Sequence, residues 1–111
     1  MYELGAKLIL LSAAVEGRVR YEDVPAGISE EELLILATRH DPSLLEPFKP
    51  YLVKVLPENR HAVILICSKD GSRGLLEDAG CSRPMDKHLW QSEPPAPCRF
   101  TLSVTSVCGA N

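Results

Sequence analysis

The chain has 111 residues, of which 45% are hydrophobic and 24% are charged. This length fits one domain with one core, and this composition is typical of a folded globular protein, which excludes a wholly disordered chain. The formal net charge of -3 lacks the basic excess that nucleic-acid-binding proteins use against phosphates. We therefore expect no nucleic acid among the partners.

The start of the chain combines features of an export signal with features of a helix. An apolar run at Leu8–Val15 follows Lys7, and it ends in small residues with the spacing of a cleavage site. The run is too short to cross a bilayer, which takes roughly 20 apolar residues, so we expect no transmembrane segment. Glu3 cancels the positive charge that precedes a good export signal. Residues 1–15 are therefore an export signal, an N-terminal helix packed on the domain or a buried first strand, and residues 16–111 form the single domain.

A helix start is predicted at Ser29. Ser29 and Glu32 have the spacing of a capping box, in which each side chain satisfies a backbone N–H that the first helical turn leaves unpaired. The run Leu33–Ala37 then supplies an apolar face. We expect the helix to end near His40, because Pro42 disfavours helical geometry in the residue before it.

The pattern changes from a helical to a strand period after the two prolines that follow this helix. Strands are predicted at residues 51–55, 61–67, 75–77 and 100–105. The second is a continuous apolar run with β-branched residues, typical of a central strand that is covered on both faces. The predicted fold is α+β, with a capped N-terminal helix packed on an antiparallel sheet of about four strands and a long disulfide-closed loop.

The four cysteines, Cys67, Cys81, Cys98 and Cys108, favour two disulfides in a small exported domain. In an antiparallel meander, the end of the third predicted strand lies beside the start of the fourth. We therefore predict that Cys81 pairs with Cys98, closing the loop between them, and that Cys67 pairs with Cys108. The alternative is four reduced thiols in a cytoplasmic protein.

The loop 82–97 concentrates residue types that carry recognition. Its candidate binding residues are Arg83, Lys87, His88 and Trp90, since tryptophan and arginine dominate the energetics of many interfaces. The sequence favours a packing role against the sheet for Trp90 over a role as a binding anchor. We expect a periplasmic or secreted, non-enzymatic domain that binds a protein or another ligand through this loop, without a metal or other cofactor.

Two other functions are compatible with the same residues. Cys81, His88 and Cys98, with Asp86, offer the thiolate, imidazole and carboxylate groups that bind zinc, so a metal protein or enzyme is one alternative. Disulfides would consume both cysteines, and the sequence contains no Gly-x-Ser-x-Gly motif of the serine hydrolases. The other alternative is a cytoplasmic structural or assembly subunit whose N-terminal helix mediates oligomerisation.

Overall fold

The computed structural model describes residues 2–22, 24–82 and 85–108. The α+β fold is confirmed, with a four-stranded antiparallel sheet in the order β1-β2-β3-β4. The helices are α1 (Tyr2–Tyr21), α2 (Glu30–Ala37) and α3 (Val104–Cys108), with short 3-10 helices at Pro42–Phe48 and Leu89–Gln91. The strands are β1 (Leu52–Glu58), β2 (His61–Cys67), β3 (Gly74–Ala79) and β4 (Lys87–His88).

Strand β2 is central and is covered on both faces, as its continuous apolar run predicts. Side chains alternate between the faces of a strand, so Ile64 and Ile66 join the core formed with α1 and α2. Val63 and Leu65 point to the opposite face and contact the C-terminal part of the chain. The molecule therefore has three layers, with the sheet between two helices on one side and the C-terminal segment on the other.

Helix α1 supplies most of the core on the helical side of the sheet. Leu8, Leu11 and Val15 recur at the three- and four-residue spacing of one helix face, and all three are completely buried. The buried-strand interpretation of residues 1–15 is therefore wrong, because these residues belong to a helix from Tyr2 onwards. Processing of this segment as an export signal stays a prediction.

The predicted N-cap at Ser29 is confirmed, although Glu32 contacts the Ser29 hydroxyl in place of the backbone N–H that a capping box predicts. The Ser29 hydroxyl oxygen accepts a hydrogen bond from the Glu32 N–H at 3.1 Å, and the hydroxyl donates to the Glu32 carboxylate at 3.0 Å. The helix ends at Ala37, earlier than the predicted end near His40. Thr38 closes it, since its hydroxyl donates to the Leu34 carbonyl at 2.8 Å.

The predicted last strand at residues 100–105 is wrong. The fourth strand is the short β4, within the predicted loop, and the chain forms helix α3 from Val104. The physical reason is that Glu77 of β3 accepts the backbone N–H groups of Thr101 and Leu102, at 2.8 and 2.9 Å. These amides are satisfied by a side chain and not by a neighbouring strand.

All four cysteines form disulfides, as predicted, but the predicted pairing is wrong. Cys67 is bonded to Cys98, and Cys81 is bonded to Cys108. Because β4 lies inside the predicted loop, the chain that follows it crosses the sheet and reaches the end of β2, where Cys67 lies. Helix α3 then packs over β2 and β3 and brings Cys108 to Cys81. The loop is consequently not closed on itself, as its two ends are bonded to two different elements.

Candidate functional site

The middle of the loop 82–97 is part of the sheet edge. In β4, Lys87 pairs with Glu77 of β3 and His88 pairs with Leu76. The chain then turns into the 3-10 helix that begins at Leu89, whose buried side chain packs against Leu65 of β2. The position of this segment is therefore fixed by both backbone pairing and side-chain burial.

Two aspartates organise the start of the loop. The Asp86 carboxylate accepts the Ala79 N–H and the Ser82 hydroxyl, each at 2.7 Å, while the Asp86 N–H donates to the Asp78 carboxyl at 3.3 Å. Asp78 is only 1% exposed. Burial first, and the neighbouring charge of Asp86 second, raise the pKa of Asp78 to about 7. A carboxyl that holds its proton almost to neutrality thus lies where the loop leaves β3.

The end of the loop approaches β3 so closely that only glycine fits at position 74. The Gly74 N–H donates to the Ala96 carbonyl at 2.9 Å. A Cβ atom on Gly74 would lie 2.8 Å from the Pro97 carbonyl oxygen and 2.9 Å from the Leu89 side chain, closer than real Cβ contacts allow. The Cys67–Cys98 disulfide follows at once and holds this end to β2.

Glu77 connects β3 to the chain beyond the loop. Its completely buried carboxylate accepts the Thr101 hydroxyl at 2.6 Å in addition to the two backbone amides named above. The Lys87 ammonium in turn donates to the Thr101 hydroxyl oxygen at 2.9 Å. Both oxygens of this buried side chain are thus hydrogen-bonded, which is the condition under which proteins tolerate a buried polar group.

The structure places three of the four predicted binding residues along this edge. Lys87 is exposed, and His88 and Trp90 are half-buried with ring centroids 4.7 Å apart and ring planes inclined by 48°. Trp90 also packs against the main core, in agreement with the packing role that its sequence context allowed. Arg83 lies outside the described residues. His88 additionally borders α1, where a Cβ atom on Gly5 would lie 3.8 Å from its Nε2 atom.

The zinc ligands suggested by the sequence are not brought together. Cys81 and Cys98 belong to different disulfides. Within residues 2–22, 24–82 and 85–108, one group of three metal-binding side chains has all its ligand atoms within 4.8 Å of one another. It consists of His61, Cys81 and Cys108, and not of Cys81, His88 and Cys98.

The partner of His61 is a residue that sequence reasoning missed. The His61 Nδ1 atom is hydrogen-bonded to the Glu16 carboxylate, whose other oxygen accepts the Ala62 N–H at 3.2 Å. Glu16 is 7% exposed. A signal was present, because Glu16 follows Leu8 and Ser12 at four-residue spacing on the buried face of α1, where a carboxylate needs a partner.

Comparisons with known proteins leave the function to be argued from the structure alone. No family model, no curated protein and no solved structure matches this chain. None of the helices in the described part of the chain has the length and apolar character needed to cross a bilayer.

Proposed function

We propose that this protein is a non-enzymatic binding domain of an oxidising compartment, the periplasm or the extracellular space, and that it binds a partner protein through the loop 82–97. The observation that carries the proposal is that the loop is held at its start, middle and end. Asp86 and the Cys81–Cys108 disulfide hold its start, β4 pairs in its middle, and the Cys67–Cys98 disulfide holds its end.

A loop fixed in this way is suited to recognition because little conformational entropy remains to be lost on binding. Residues 91–95 and Pro97 are exposed, and the half-buried ring pair of His88 and Trp90 lies next to them. Aromatic side chains are enriched where proteins contact one another, whereas small molecules are enclosed in concave pockets, so an exposed loop beside two rings favours a protein partner.

The charges around the loop favour an acidic partner. Three exposed cations surround the loop. Arg73 lies at the end of the hairpin that contacts the loop, Lys87 lies on β4, and Arg99 directly follows Cys98. Glu93 is the acid that the loop itself exposes. Complementary charge raises the rate of association and selects among partners, and it contributes less to affinity than buried contacts do.

The test replaces two of these cations and compares them with cations on the helical side. The Lys87→Glu, Arg99→Glu variant should bind the captured partner about tenfold more weakly, as expected for two charges worth about 0.7 kcal/mol each at the rim of an interface. The matched control is Lys7→Glu, Arg39→Glu, whose exposed side chains lie on α1 and after α2.

The measurement is affinity capture from the medium or periplasm of the native host, followed by titration of the purified partner. Equal affinity of the loop variant and the wild type, or weakening by the control variant alone, would refute the proposal. Capture of an acidic small molecule in place of a protein would favour the alternative that the loop binds a small ligand.

The cytoplasmic-subunit alternative is decided by a separate measurement. In a reducing compartment the four cysteines would be thiols, whereas the proposed function requires both disulfides. The intact mass of protein taken from the native host without reduction should be lower than that of the reduced chain by four hydrogens. Equal masses would favour the cytoplasmic alternative.

A further inference from the structure

The Cys81–Cys108 disulfide lies beside an oriented histidine. His61, Cys81 and Cys108 are all half-buried, and their ligand atoms lie within 4.8 Å of one another. The other disulfide, Cys67–Cys98, belongs to no such group among the described residues. We propose that reduction of the Cys81–Cys108 disulfide creates a zinc site in which His61, Cys81 and Cys108 are the protein ligands.

The chemical change is a two-electron reduction followed by metal binding. A dithiol reductant supplies two electrons and two protons, its own sulfurs form a cyclic disulfide, and Cys81 and Cys108 become thiols. Zinc then displaces the two thiol protons, and two Zn–S bonds replace the S–S bond. With Zn–S distances of about 2.3 Å, two thiolates on one tetrahedral zinc lie roughly 3.8 Å apart, within the space that the three ligand atoms already share.

Glu16 prepares His61 for this role. Since the Nδ1 atom of His61 is hydrogen-bonded to the Glu16 carboxylate, the Nε2 atom is the one left to bind a metal. A carboxylate behind a histidine is the usual outer partner in zinc sites, where it fixes the ring and increases the basicity of the ligand nitrogen. Glu16 is itself held by the Ala62 N–H.

A cavity beside His61 gives an ion access to this side chain, while the two sulfur atoms lie against apolar residues. This cavity of about 320 Å³ is lined by His61 together with Arg60, Glu22 and Glu58. The two sulfurs lie against the apolar cluster around Val63, Ala79 and Val104. This site uses the disulfide that holds the start of the loop, and it goes beyond the function proposed above.

The test uses the full chain, reduced with a water-soluble trialkylphosphine because a dithiol would itself bind zinc. Reduced wild type should bind one Zn²⁺ per chain, and Co²⁺ in its place should show thiolate-to-metal charge-transfer absorption. The oxidised chain should show neither. The Cys67→Ser, Cys98→Ser variant should keep the site, whereas Cys81→Ser, Cys108→Ser should lose it.

Two further variants separate a built site from non-specific binding to thiols. His61→Gln should weaken zinc binding at least 100-fold and Glu16→Gln by about 10- to 100-fold, with His40→Gln at an exposed position after α2 as the unchanged control. Circular dichroism follows the fold: where reduction unfolds the chain, zinc should restore the folded signal in wild type and not in His61→Gln. Absence of stoichiometric binding, indifference to His61→Gln or failure to restore the fold overturns the proposal.

Discussion

Replacement of Asp78 by asparagine should make the protein more stable at alkaline pH. Burial raises the pKa of Asp78 from 3.8 to about 7 in the folded protein. Between these two values the folded protein holds a proton that the unfolded chain has released. The free energy of unfolding therefore falls as the pH rises from about 4 to about 7 and is constant above that range.

The size of the effect follows from the two pKa values. One pKa unit corresponds to about 1.4 kcal/mol, so the displacement from 3.8 to about 7 corresponds to a cost of about 4 kcal/mol above pH 7. Asparagine resembles the protonated carboxyl, and its oxygen can still accept the Asp86 N–H and the Ser82 hydroxyl. The free energy of unfolding of Asp78→Asn should thus equal that of wild type near pH 4 and exceed it by up to about 4 kcal/mol at pH 8.

The assay is urea unfolding of both proteins from pH 4 to pH 8, and the control is followed down to pH 2. Asp70→Asn is the control, because the pKa of Asp70 is lowered to about 2, chiefly by hydrogen bonds from the backbone and side chain of Ser72. Removal of that carboxylate should reduce stability at neutral pH, and the loss should disappear as the pH falls towards 2. A stability difference between Asp78→Asn and wild type that is the same at pH 4 and pH 8 would contradict the reasoning.

Three further predictions concern packing and the disulfides. Leu11→Ala should lower the free energy of unfolding by about 3 kcal/mol, since Leu11 is completely buried, whereas Ile35→Ala at a 58% exposed position should change it little; urea unfolding measures both. The Cys81→Ser, Cys108→Ser variant should lose about 3.5 kcal/mol of unfolding free energy, because the disulfide closes a loop of 27 residues in the unfolded chain. An unchanged urea midpoint would contradict that chain-entropy argument. Gly80→Ala should cost about 1 to 3 kcal/mol by thermal unfolding, because its Cβ would lie 2.6 Å from a Cβ atom of α1.

Elements defined by local signals could be predicted from the sequence. The cap at Ser29 depends on residues only three positions apart, so the start of α2 is where the capping box predicts it. The continuous run from His61 to Cys67 indicated a strand covered on both faces, and all of it after His61 is buried. Such patterns carry their information within one turn or one strand.

The end of the chain could not be predicted in this way. The alternation from Phe100 to Thr105 satisfies the strand period, yet the amides of Thr101 and Leu102 are taken by Glu77, more than twenty residues earlier. Nothing in the sequence around Glu77 distinguishes it from a solvated strand residue. The predicted disulfide pairing is wrong for the same reason, because it depends on the position of the last strand.

The candidate site shows the same division between local and distant information. His88 and Trp90 are two residues apart, so their association at one edge was accessible from the sequence. The contact between Glu16 and His61 joins positions 45 residues apart, and only the helix period of α1 hints that Glu16 is buried. The sequence therefore located the loop, whereas the histidine beside the disulfide emerged only from the packing of α1 on β2.

The position of the two disulfides follows from how unequally the layers bury apolar side chains. The helical side contributes Leu8, Leu11, Val15 and further buried residues to the main core, whereas the described C-terminal segment beyond residue 81 buries only Leu89 and Val104. Burial of so few side chains offers little to offset the entropy of ordering that segment. Each disulfide joins this weakly packed layer to the sheet or to the turn after β3. Reduction should therefore release the C-terminal layer first, and a zinc ion held by His61, Cys81 and Cys108 would restore one of the two links.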